Sequence, residues 1–132
     1  MFATHERHLV VDAANVVGSR PDGWWRDRAG AAARLAAEIV DALETGTLDA
    51  DQVHLVLEGA AKAADVRPHS RLEVVRATAD GDSAIVDLVA GLPGPAVTVV
   101  TADRGLRARL PKGEVVGPSE LLRLLRPGPS VS

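Results

Sequence analysis

The chain contains no cysteine and no tyrosine, a single phenylalanine and only two tryptophans. Without cysteine there is no disulfide, no thiolate zinc site and no catalytic thiol. With so few aromatic rings, Ala, Val and Leu must supply the core. Lysine is scarce as well: Lys62 and Lys112 stand against thirteen arginines. Arginine suits bidentate phosphate contacts, but a GC-rich coding sequence gives the same bias, and that explanation carries more weight. No apolar run approaches the roughly 18 residues of a membrane span. The opening "MFATHERH" carries charges and no apolar stretch, so a cytoplasmic location is expected rather than secretion.

What is present suits one globular domain. Of 132 residues, 46% are hydrophobic and 25% charged, enough for a single core and too few for two. The expected domain spans residues 1–126, with "PGPSVS" (127–132) as a disordered tail. A formal net charge of −3 excludes a protein that holds nucleic acid by overall charge.

Apolar runs of strand length alternate with helical patterns. "HLVVDA" (8–13), "VHLVLEG" (53–59), "RLEVVRA" (71–77) and "PAVTVVTADRG" (95–105) read as strands, with a brief one at 113–117. Residues 26–46 predict a long helix, with Leu35, Ile39 and Leu43 on one face and Gly46 as the stop. Residues 82–94 predict another, capped by Asp82 or Ser83. Short helices are expected over 104–110 and 118–126. Continuously apolar strands between helices predict a three-layer α/β/α sandwich whose mainly parallel sheet has four or five strands.

Three of these strands end in an acid: Asp12, Glu58 and Asp103. In an open α/β sheet, ligands bind beyond the carboxyl ends of the strands. Any one such acid could merely cap the following helix. Three on one edge, joined by Asp82 at a helix start, form a group whose like charges repel unless a cation compensates. Hard oxygen donors without His or Cys suit Mg²⁺ or Mn²⁺. The chemistry indicated is metal-assisted attack of water on a phosphate ester.

The motifs "VVDAANVVG", "LVLEG", "ADGDSAIVDLV" and "VVTADRGLRARL", in that order, resemble the PIN-like nucleases and more closely their NYN branch. The resemblance spans roughly residues 8 to 122 and implies a Rossmann-like fold and RNA cleavage. It implies Asp12, Asp82 and Asp103 as metal-binding acids, with Asp80 as an alternative to Asp82. Asn15 would orient Asp12 or hold a water or phosphate. Glu58 would be a further acid, standing where the branch commonly has Asp, and Ser83 or Thr101 would supply supporting hydrogen bonds.

The loop "GSRPDGWWRDRAG" joins the first strand to the first long helix at the same sheet edge. A tryptophan there can stack on a base, and Arg20, Arg26 and Arg28 can meet phosphates. One of Trp24 and Trp25 is expected to be buried and the other exposed. A second possible lip is "RPHSR" (67–71), where His69 is either a proton carrier or a bystander. Arg104, Arg107 and Arg109 follow Asp103 and can reach phosphate, with a solvated helix face the expected use of at least two of them. The leading expectation is a metal-dependent endoribonuclease acting on single-stranded or structured RNA. Hydrolysis of a nucleoside triphosphate is an alternative, although no Walker loop is present. A non-catalytic RNA- or protein-binding module, including the toxin of a toxin–antitoxin pair, is another. The acidic net charge makes delivery of RNA by a partner or a homodimer plausible.

Overall fold

The three central strands are short, rich in Val and Leu and buried, which is how a strand covered on both faces is written, while the two edge strands are partly exposed. In the computed structural model, which describes residues 6–126, five strands form one sheet. They are β1 (His8–Asp12), β2 (Gln52–Leu57), β3 (Leu72–Arg76), β4 (Val97–Val100) and β5 (Glu114–Val116). All four pairings are parallel, in the order β3-β2-β1-β4-β5. The chain steps outward from β1 to β3, then crosses back to place β4 on the other side of β1. That reversal makes the carboxyl ends of β1 and β4 the switch point, where such sheets bind ligands. The expected tail (127–132) and the first five residues lie outside the described residues.

Five helices cover the sheet: α1 (Ala13–Gly18), α2 (Arg28–Thr45), α3 (Gly81–Gly91), α4 (Arg104–Arg109) and α5 (Pro118–Leu125). Side chains alternate across a strand, so neighbours on β1 enter different cores. Val11 packs with Leu35, Ile39, Leu55 and Leu121 beneath α1, α2 and α5. Val10 packs with Val56, Ile85, Val89, Val99 and Leu106 beneath α3 and α4. The sandwich is thus three-layered as expected, with all five strands parallel.

In α2, alanine and leucine favour the helix. Asp27 caps its start by accepting from the Gly30 amide at 2.8 Å, and Gly46, at φ 81°, ends it. Leu35, Ile39 and Leu43 face the core together, each burial contributing about 1.5–3 kcal/mol. Two 3-10 turns, Trp24–Arg26 and Gly59–Ala63, continue the chain beyond the site edge. Among the described residues no helix is long and apolar enough to cross a membrane.

His8 and His54, which the sequence leaves without a role, are both buried and meet across β1 and β2. Their ring nitrogens Nδ1 and Nε2 lie 2.9 Å apart, and His54 Nδ1 is 2.6 Å from Glu73 Oε1. A carboxylate only accepts, so His54 Nδ1–H donates to Glu73. In a neutral pair, His54 Nε2 then accepts from His8 Nδ1–H. These residues sit in the amino-terminal half of the sheet, away from the acids; the facing ring nitrogens and Glu73 are paired, while the buried His8 Nε2 has no hydrogen bond among the described residues.

Candidate active site

Parallel strands bring all their carboxyl ends to one edge, so Asp12, Glu58 and Asp103 come together by topology alone. Asp12 is the last residue of β1 and is buried. It caps α1, its Oδ1 accepting from the Asn15 amide at 3.4 Å. Its Oδ2 accepts from the Thr101 hydroxyl at 2.9 Å. The Thr101 oxygen in turn accepts from the Asp103 amide at 3.1 Å. Asn15 Oδ1 accepts from the Ala102 amide at 2.7 Å. The turns after β1 and β4 are therefore laced to each other, and that lacing sets Asp103 relative to Asp12.

Asp103 caps α4 through the Leu106 amide at 3.0 Å. The cap of α3 is Asp80, which accepts from the Ser83 amide at 2.9 Å, and neither Asp82 nor Ser83 as expected. The helix begins one residue earlier than the sequence indicates, because Asp80 has the usual three-residue spacing to the amide it caps. Asp82 is left in the first turn with its carboxylate uncommitted. Glu58 follows β2 and accepts from the Gly81 amide at 2.7 Å, tying α3 to the end of β2. A Cβ at Gly81 would stand 3.0 Å from that carboxyl group, so a larger residue there would push the Glu58 side chain back by a few tenths of an ångström.

The electrostatics separate these acids. Burial pushes the Asp12 carboxyl up to about 6, against the pull of the Thr101 and Asn15 hydrogen bonds, with the charges of Asp82 and Glu58 adding to the rise. Asp82 is raised by burial, then by Asp103, Glu58 and Asp80, while Arg109 opposes. Asp80 is lowered, chiefly by the Ser83 amide. Among the described residues no three acidic or imidazole side chains already form a group that could hold a metal ion. Like charges favour rotamers that keep carboxylates apart. The donor set itself, all carboxylate oxygen with charges that destabilise one another, fits a hard divalent cation.

Thr101→Val tests the lacing. It leaves a buried Asp12 oxygen without its donor, at an expected cost of about 1–3 kcal/mol. The deficit is greater at pH 8 than at pH 4, since the ionised carboxylate uses the bond and Asp12 titrates near 6. An unchanged urea midpoint at both pH values would contradict this account.

The arginines and tryptophans divide. Arg20 is turned to α2, both its Nη atoms donating to Glu38 at 2.7 and 3.0 Å. Trp24 is half-buried against the core and Trp25 is 56% exposed. Their rings meet edge-on with centroids 5.9 Å apart. The Arg28 guanidinium lies 5.0 Å from the Trp24 ring centroid and that of Arg26 5.9 Å from Trp25. Arg104 and Arg107 are exposed on α4, and Arg109 reaches Ser83 Oγ at 3.3 Å, close enough to oppose the charge of Asp82.

The lip expected at 67–71 is corrected. That segment enters β3 at its amino end, on the edge opposite the acids. Arg71 donates to the Leu43 carbonyl at 2.8 Å, and His69 Nδ1 accepts from the Arg71 amide at 3.1 Å. What the sequence does not reveal is α1 itself, hidden because its residues extend the apolar run of β1. The Asp12-to-Asn15 spacing, with Gly18 at the end, was the available signal. A cavity of about 470 Å³ beside the acids, walled by Trp24, Arg28, Ala14, Ala61 and Glu58, also needed the tertiary structure to be seen.

No protein-family model matches the chain, and no curated protein matches it in sequence. Solved structures do share its fold. Rae1 (YacP) from Bacillus subtilis superimposes with a TM-score of 0.67 at 20% identity, over 89% of this chain and 72% of that one. A point variant of the same protein gives a TM-score of 0.71 at 21% identity, over 90% and 74%. At such identity the likeness establishes the fold: a five-stranded parallel sheet with helices on both faces.

Proposed function

We propose that the chain is a metal-dependent endoribonuclease of the PIN-like class, nearest the NYN branch, hydrolysing RNA phosphodiester bonds at the β1–β4 switch point. The observation that carries this reading is the buried Asp12, held by Thr101 and raised further by the charges of Asp82 and Glu58. A structural ion pair would have placed an arginine or lysine there. The order of the four motifs and the shared fold with Rae1 support it.

Asp12, Asp82 and Asp103 would hold Mg²⁺ or Mn²⁺, and Glu58 would act beyond them by fixing α3. Such an ion, when bound, stabilises charge developing on the phosphoryl oxygens. Asn15 keeps the Asp12 and Asp103 turns in register through Ala102. Arg26, Arg28 and Arg104 stand at the same edge to meet RNA phosphates, and Trp25 offers an exposed ring for stacking. The net charge of −3 predicts weak attraction for RNA beyond this lip, so a partner protein or a second copy would assist delivery.

The test incubates purified protein with Mg²⁺ or Mn²⁺ and labelled single-stranded RNA, folded tRNA or nucleoside triphosphates. RNA cleavage that stops with chelator is the expected result. Triphosphate loss with intact RNA would replace this reading with a small-molecule hydrolase.

A further inference from the structure

We propose that the cavity between Trp24 and Glu58 is a nucleobase pocket that prefers guanine and seats one base of the RNA next to the bond to be cut. This inference rests on the ribonuclease reading for its substrate, and on separate residues for its selectivity. At about 470 Å³ the cavity falls within the usual size range of small-ligand sites, about 300–1,000 Å³. Small side chains create it: Ala14 on α1, and Gly59 and Ala61 on the turn after β2. One wall is the Trp24 indole, held against the core and so already ordered before a base arrives. Arg28 lies over that ring, so a base that stacks on Trp24 takes the place of the guanidinium, which swings to the mouth to meet a neighbouring phosphate.

The polar side of the cavity is made of acceptors. Glu58 and Asp80 both line it. One Glu58 oxygen accepts from the Gly81 amide, and the other has no hydrogen bond among the described residues. A carboxylate only accepts and has about four lone-pair sites. Guanine offers two adjacent donors, N1–H and the N2 amino group, which can meet a carboxylate in parallel. Adenine and cytosine place one amino group beside a bare ring nitrogen that repels the second oxygen. Uracil has one N–H between two carbonyls. Stacking on Trp24 is available to every base; the Glu58 carboxylate is what separates them. Glu58 is also fixed in aim by its bond to Gly81, as a selective contact must be.

The experiment follows tryptophan fluorescence in a Trp25→Phe background, with EDTA present, so that Trp24 reports binding without cleavage. GMP, AMP, CMP and UMP are titrated separately. The expected result is quenching by GMP at a Kd about 10-fold tighter than for the other three. Glu58→Gln, which offers one acceptor and one donor, reduces that preference to near parity, with circular dichroism confirming the fold. In a filter-binding assay, Trp24→Leu weakens all four nucleotides alike. Equal affinity for the four nucleotides, or none, with RNA cleavage intact would overturn the pocket and leave the ribonuclease reading standing. GMP preference in a protein that cleaves no RNA would uphold the pocket and overturn that reading instead.

Discussion

Asp12→Asn is expected to remove metal-dependent RNA cleavage, by at least about 100-fold, while making the metal-free protein more stable at neutral pH. The two effects have one cause. Asp12 is 7% exposed and is the acid most strongly penalised by burial. Its carboxyl moves from 3.8 to about 6 on folding, so keeping it ionised above pH 6 costs up to about 3 kcal/mol. Asparagine preserves the shape and can still accept from Thr101, but loses the stronger charged acceptance. A net gain of about 1–2 kcal/mol remains, or roughly 4–7 °C in melting temperature.

The direction with pH follows from the folded state binding the proton more tightly. Wild-type stability is relatively highest below pH 4 and falls between about 4 and 6, while the variant lacks that decline. Melts in EDTA at pH 4.5 and 7.5 would show it. Added Mg²⁺ or Mn²⁺ should reverse the order, because a cation bound only to the folded wild type stabilises it. A variant less stable than wild type at pH 7.5 in EDTA, or one that still cleaves RNA, would rule out the role assigned to Asp12.

The second large effect separates two neighbouring acids. Asp82→Asn should lower cleavage by about 100-fold or more with little loss of stability, since Asp82 is raised by burial and then by its acidic neighbours and caps nothing. Asp80→Ala should do the reverse, costing about 1 kcal/mol through the lost cap while the folded protein still cleaves. The lowered carboxyl of Asp80, bonded to the Ser83 amide, is already satisfied by the helix it starts. Paired urea titrations and cleavage rates distinguish them. If Asp80→Ala is inactive and Asp82→Asn active, the ligand assignment between the two is wrong.

The central strands, the long helix and the strand-end acids are legible in the sequence because the interactions that set them are local. "HLVV" and "TVV" carry the β-branched pattern of buried strands, and the Leu35–Ile39–Leu43 spacing puts three apolar side chains on one helical face. Asp12, Glu58 and Asp103 were legible as strand-end acids because each lies at or within three residues of the end of its apolar run. The cap of α3 was misread by two residues because Asp80 and Asp82 both precede a helical pattern. Only the observed hydrogen bond to Ser83 tells them apart.

Other features had no local signature. Arg20 looks like a phosphate contact beside the tryptophans, yet Glu38, on a helix eighteen positions later, takes both its Nη atoms. "RPHSR" carries charge suited to a lip, but a loop entering a parallel strand lies at the edge opposite one leaving it.

The sequence by itself determined the layers, the strands and which acids end them, since burial and periodicity are properties of short segments. Tertiary structure decided which of those acids is buried, which are spent as caps, and that Thr101 and Asn15 lace two turns together across 89 and 87 residues. The reason is physical: desolvation and hydrogen-bond partnership depend on what the rest of the chain packs around a side chain, and no window of sequence contains that.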